Sequence, residues 1–140
     1  MGHVKIETNA KERTYAQTYA LSTPAGVKKL LRDRHKIASR RYSGDTAASD
    51  ILLDLNSAID SARLTDRMAE AVAYVYGLDT TQGAAARIMG VSREAVKDLL
   101  FQATKRIAAV YRRWNYDEVT VVFEEESTNE TKVESEGAAI

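Results

Sequence analysis

No cysteine occurs in the chain, which removes disulfides and thiolate metal ligands and fits a reducing compartment. The two histidines, His3 and His35, are isolated and lack neighbours at ligand spacing, so neither a metal site nor a cofactor is expected. No apolar run approaches the roughly 18 residues that a membrane span requires. The opening stretch MGHVKIETNAKER lacks the apolar centre of a signal peptide. There is no glycine-rich phosphate loop, no nucleophile elbow and no paired-carboxylate motif. The expectation is a soluble, cytoplasmic protein with no membrane contact, no catalytic residues and no enzymatic activity. The 140 residues suit one domain, or one small domain with appendages.

An excess of charge of either sign is also missing, since 20 basic residues balance 20 acidic ones. The charges are nonetheless segregated along the chain. Residues 1–44 hold ten Lys/Arg against three Asp/Glu, and residues 45–66 one against five. Residues 67–116 hold eight against four, and residues 117–140 one against eight. A neutral chain divided in this way can still present a local field that attracts phosphate. Exposed charges further apart than about 10 Å are screened at about 0.1 M salt, so the local patch outweighs the total.

Residues 1–22 are polar and weakly patterned, apart from an alternation at Val4, Ile6 and Thr8. Pro24, the only proline, follows Ser22 and Thr23, a helix-start signal. The helix predicted from Ala25 to about Arg41 carries Val27, Leu30, Leu31, Ile37 and Ala38 near one stripe. Its remaining surface is basic: Lys28, Lys29, Arg32, Arg34, Lys36, Arg40 and Arg41. These cations either contact phosphate or form a solvated face. A second helix over 46–62 places Ile51, Leu52, Leu55, Ile59 and Ala62 at helical spacing on one apolar face, with Asp50, Asp54 and Asp60 outside. A third, from Asp66 to Tyr76, takes Thr65 as N-cap and Gly77 as stop. A short helix from Thr81 to Met89 ends at Gly90, and a long one follows Ser92 to about Trp114. Tyr111, Trp114 and Tyr116 should pack the end of that helix on the N-terminal helices, or serve a partner. Val119, Val121 and Phe123 alternate as a strand whose partner is either Val4–Thr8 or another chain. Residues from 124 onward are acidic and too poor in apolar groups to order themselves.

The segment Gln82–Phe101 is the informative one. Two helices crossing steeply about a short turn need particular residues at fixed offsets. Ala86 supplies the small side chain at the crossing. Gly90 tolerates a left-handed backbone in the turn. Met89 and Val91 plug the space between the helices, and Ser92 caps the second. Val96 and Leu99 face back toward the first helix. An ordinary helical hairpin would explain this apolar spacing, but not the polar set Ser92, Arg93, Glu94 and Lys97 left exposed where a recognition helix meets base edges.

Leu64-Thr-Asp-Arg-Met, Tyr76-Gly-Leu-Asp, Ala84-Ala-Ala-Arg-Ile-Met-Gly-Val-Ser-Arg-Glu-Ala-Val-Lys and Ala103-Thr-Lys-Arg-Ile together resemble region 4 of sigma factors. The resemblance runs from about Leu64 to Ile107. With Ser43-Gly-Asp45 and the helix upstream, the layout is similar to small phage-encoded, sigma-like transcription regulators. It implies reading of a promoter element and contact with bacterial RNA polymerase. The chain departs from the family in two places. The Gly83-Ala84-Ala85 run replaces the usual acidic or amide residue, and Phe101 takes a place more often polar, where it would touch a thymine methyl or pack in a dimer. The 63 residues upstream are too few for the promoter-melting region of a full sigma factor.

The expected fold is therefore all-α: a helical bundle with a C-terminal helix-turn-helix and room for a short strand near each terminus. The parts are a weakly structured N-terminus at 1–22, a helical region at 23–63, the helix-turn-helix domain at 64–116, and a strand with acidic tail at 117–140. The expected DNA-binding residues are Thr81, Gln82, Ser92, Arg93, Glu94, Lys97, Phe101 and Lys105. The partners are duplex DNA and RNA polymerase, with a homo-oligomer left open. Two other functions fit the pattern: the small DNA-recognition subunit of a phage packaging motor, and a module that binds polymerase without DNA.

Overall fold

The structure, a computed structural model, describes residues 14–42 and 46–124. The elements run β1 (Thr14–Ala20), α1 (Pro24–Tyr42), α2 (Thr46–Ser61), α3 (Asp66–Val72) with a π-helical turn at Ala73–Gly77, α4 (Gln82–Met89), α5 (Arg93–Arg113) and β2 (Glu118–Glu124). The described residues are mostly helical, with a two-stranded antiparallel sheet. This agrees with an all-α bundle that has a short strand near each end.

The sheet corrects one expectation. β2 forms as its alternation suggests, but its partner is Thr14–Ala20, inside a stretch read as weakly structured. Threonine and tyrosine favour a pleated surface. The Tyr15 and Phe123 rings lie 5.4 Å apart across the pair, an aromatic cross-strand contact of the kind that fixes register. The Thr18 and Thr120 hydroxyls meet at 3.2 Å. Val4–Thr8 and the acidic tail beyond Glu124 lie outside the described residues.

The chain separates into two compact units, and Tyr19–Val119 is the larger. It contains every helix among the described residues, so α1 and α2 share one core with α5. That core is made by α1, α2 and α5, which pack on one another. Val27, Leu30, Leu31 and Ile37 of α1 are buried with Leu55 and Ala58 of α2 and Ala103, Ile107 and Val110 of α5. The first turn of α1 is capped by Thr23, whose hydroxyl accepts from the Gly26 amide at 3.1 Å and donates to the Ala20 carbonyl at 2.8 Å. Gly26 is there by necessity, because a Cβ would stand 1.9 Å from the Ala20 oxygen. Two polar residues among those described are buried with it, Asp33 and Thr104, and the Thr104 hydroxyl donates to the Phe101 carbonyl at 2.8 Å. Asp33 is buried, and its carboxylate accepts from the Tyr19 hydroxyl at 2.7 Å and from Arg32 Nε at 3.2 Å, which offsets its desolvation.

α3 departs from a regular helix. The Leu78 amide donates to the Ala73 carbonyl at 2.8 Å, five residues back. Both the amide and the hydroxyl of Thr80 donate to the Tyr74 carbonyl, at 3.1 and 2.8 Å. The helix ends at Gly77, as the sequence suggested, but the left-handed residue of its exit is Asp79, with φ 59°.

The long helix α5 ends without glycine or proline. Asn115 takes φ 57°, and amides of Tyr116 and Asn115 return to the carbonyls of Tyr111 and Arg112 at 2.9 and 3.0 Å. This is the Schellman arrangement, which asparagine tolerates after glycine. Tyr111 is fully buried and meets Trp114 and Tyr116 edge-on, with ring centroids 5.7 and 5.1 Å away. The Tyr116 hydroxyl donates to Asp54 Oδ2 at 2.9 Å, tying the end of α5 to α2. Asp54 is thus half-buried and engaged, while Asp50, Asp60 and Asp66 are exposed as expected.

Candidate nucleic-acid interface

The arrangement of α4 and α5 rests on a few local devices. Thr81 Oγ1 accepts from the Ala84 amide at 3.0 Å and starts α4. Gly90 takes φ 71° and ends it, and the Val91 and Gly90 amides fold back to the carbonyls of Ala86 and Arg87 at 3.0 and 3.3 Å. Ser92 Oγ then accepts from the Ala95 amide at 3.0 Å and starts α5. Three residues, Gly90, Val91 and Ser92, therefore join the two capped helices. Ala85, Ala86 and Met89 are buried on α4, as are Val96 and Leu100 on α5. Leu99, expected in this contact, is half-buried, and its neighbour Leu100 takes the deeper place.

Two arginines brace the module. Arg67 of α3 donates from Nη1 to the Met89 carbonyl at 3.2 Å and also meets Glu70 at 3.2 Å. A cation at the last carbonyls of α4 opposes the helix dipole favourably. Arg106 of α5 donates to the Arg63 carbonyl at 2.8 Å, holding the bend before α3.

The exposed side of α5 carries most of the expected binding set. Ser92, Arg93, Glu94 and Lys97 are all exposed, and Arg93 and Lys97 stand one turn apart on one side. Phe101 is 53% exposed on the same helix, with the Lys105 ammonium 5.4 Å from its ring centre. That pairing gives the ring a cationic neighbour. Thr81 and Ser92 have their oxygens committed to caps, but each hydroxyl can still donate to an anion. Gln82 is half-buried at the start of α4.

Gln82, Glu94, Lys97 and Phe101 border one groove of about 520 Å³. Arg93, Ser92 and Lys105 lie outside it. The groove brings in residues that sequence reasoning did not place together: Tyr76 and Leu100 form walls, Asp98 adds a second carboxylate, and Pro24, Ala25 and Lys28 come from the first turns of α1. Helical spacing gives no sign of this meeting, because it joins residues about seventy positions apart. Among the described residues there is no group of three or more His, Asp or Glu side chains able to hold a metal ion. No helix among them is long and apolar enough to cross a membrane.

Two capped helices about a left-handed glycine, with a polar, solvent-facing second helix, define a helix-turn-helix module. Residues 62–109, about a third of the chain, match the model for sigma-70 region 4, a helix-turn-helix DNA-binding domain. That match supports a DNA-binding, sigma-like regulatory role, in a family that is not one of enzymes. No curated protein and no solved structure matches the chain significantly.

Proposed function

We propose that the chain is a sequence-specific, sigma-like transcription regulator that places α5 in the major groove of promoter DNA and acts with bacterial RNA polymerase. The observation that carries this reading is the exposed set Arg93, Glu94 and Lys97 on the second helix of a module matching sigma-70 region 4. Arginine suits guanine, and carboxylates such as Glu94 and Asp98 accept from the cytosine amino group. Phe101, exposed on the same helix, would touch a thymine methyl. Thr81, Gln82, Ser92 and Lys105 serve the flanking phosphates, which fix position without reading sequence.

Selecting bound sequences from a random duplex pool tests the reading directly. A single enriched motif supports it. Arg93→Ala should then weaken binding to that motif by roughly 1–3 kcal/mol while leaving random duplex nearly unchanged. Equal loss on both DNAs would remove Arg93 from base reading. A second reading, a module that binds polymerase without DNA, draws on the exposed Phe101 ring and the apolar groove walls at Tyr76 and Leu100. Retained polymerase binding with no enrichment of any duplex would favour it.

A further inference from the structure

We infer that α1 belongs to the DNA interface: Lys28 and Arg32 form a clamp for the sugar–phosphate backbone beside the reading helix. The inference rests on the DNA-binding role proposed above and extends it to a helix outside the matched segment, which begins at residue 62.

Three observations support the clamp. Lys28 is exposed and borders the same groove as Lys97, so a cation from α1 and one from the reading helix face a common space. Arg32 stands one helical turn further along the same face of α1. Its charge is felt by Tyr76, a wall of that groove, whose hydroxyl is pushed up by burial and drawn partly back by Arg32. Finally, the cations of α1 divide by use. The Lys29 ammonium sits 5.7 Å from the Tyr19 ring, serving the fold. Arg32 spends only Nε on Asp33 and remains 62% exposed, which leaves the other donors of its fork. Among the described residues no ion pair joins Lys28 or Lys97 to Glu94 or Asp98 across the groove. Those two carboxylates repel phosphate. They therefore direct the backbone toward the α1 rim, away from the acidic wall, and leave Glu94 and Asp98 to base edges.

The test measures how affinity for random duplex DNA falls with salt, between about 50 and 200 mM, for the full chain and three variants. Each lost phosphate contact should make the slope shallower by about 0.9. Lys28→Ala and Arg32→Gln should each show that change. Arg113→Ala is the control, because Arg113 is exposed at the far end of α5, about 24 Å along the axis from Lys97. Slopes equal to the parent's for Lys28→Ala and Arg32→Gln, with binding retained, would overturn the clamp and leave the helix-turn-helix role standing. An equal change in Arg113→Ala would also overturn it, as a general effect of charge. If the parent binds no duplex at all, the DNA-binding reading falls and takes the clamp with it. Lys28→Ala carries the decision should Arg32→Gln lower the melting temperature, since Lys28 is exposed and makes no hydrogen bond or ion pair among the described residues.

Discussion

Where α1 meets α2, branched aliphatic side chains fill the space; where α4 meets α5, much of it is filled by alanine. Leu30, Leu31, Ile37 and Leu55 are nearly inaccessible in the first contact, whereas Ala85 and Ala86 are buried in the second. Alanines let two helices approach closely but bury little area, and burial contributes about 25 cal/mol per Å². The scaffold is therefore held by apolar volume. The orientation of α4 depends far more on backbone devices: the Thr81 and Ser92 caps, the left-handed Gly90 and the Arg67 brace. A reading module needs a fixed angle more than it needs mass, and its solvent-facing surface has to stay polar for its partner.

Volume loss in the scaffold should produce the largest effect. Leu30→Ala should destabilise the protein by about 2–5 kcal/mol, seen as a lower denaturation midpoint at unchanged slope. A cost below about 1 kcal/mol would mean that the α1–α2 contact is not a volume-limited core. In the module the sensitive quantity is φ. A Cβ at Gly90 would meet nothing within 4 Å, so the cost of Gly90→Val, about 1–2 kcal/mol, comes from the left-handed backbone alone. An unchanged melting temperature would erase the contrast between the two regions.

A finer probe is the bond that ties α5 to α2. Burial first, then the hydrogen bond and charge of Asp54, push the Tyr116 hydroxyl up to about 12 from its ordinary 10.0. The folded protein keeps a proton that the unfolded chain releases earlier, so this stabilisation is complete below pH 10 and is lost between 10 and about 12. Thermal melts across that range should fall less steeply for Tyr116→Phe than for the parent. Parallel curves would show that the titration of Tyr116 does not couple to folding. The buried Tyr111 hydroxyl is pushed up as well, so the variant should reduce the alkaline loss without abolishing it. The smallest effect is expected at Gly83 in α4, where a Cβ would find only Thr81 Oγ1 at 4.0 Å. Gly83→Ala should raise stability by about 0.4–1 kcal/mol by narrowing the unfolded ensemble. A lower melting temperature would show that α4 needs glycine there for a closer approach.

The helices were legible because their starts are chemically marked. Thr23, Thr65, Thr81 and Ser92 each accept from an amide three residues on, and that signal is local. Gly90 was legible for the same reason. β1 was not, because Thr-Tyr-Ala-Gln-Thr-Tyr-Ala repeats every four residues and matches neither a clean strand nor a clean helix period. The π-helical turn leaves no mark in residue types, and the end of α5 falls on an asparagine, a weaker stop signal than glycine. The exposed polar residues of α5 could be anticipated from spacing. The groove could not, since Lys28 comes beside Lys97 only after three helices have packed. Asp33 was hidden among cations, and only tertiary structure brings it the Tyr19 hydroxyl.

The widened turn at Ala73–Gly77 sets the angular phase at which the C-terminal end of α3 presents its side chains. An α-helix advances about 100° per residue, and a π-helical turn accommodates one residue more than the regular spiral would. Tyr76 is the fourth residue of that turn, and it is buried in the groove wall between α1 and the reading helix. In an unbroken α3 the same ring would leave the helix in a different direction. One supernumerary residue thus acts as an indexing step. It turns a side chain of the bracing helix into lining for the space that α1 and α5 share.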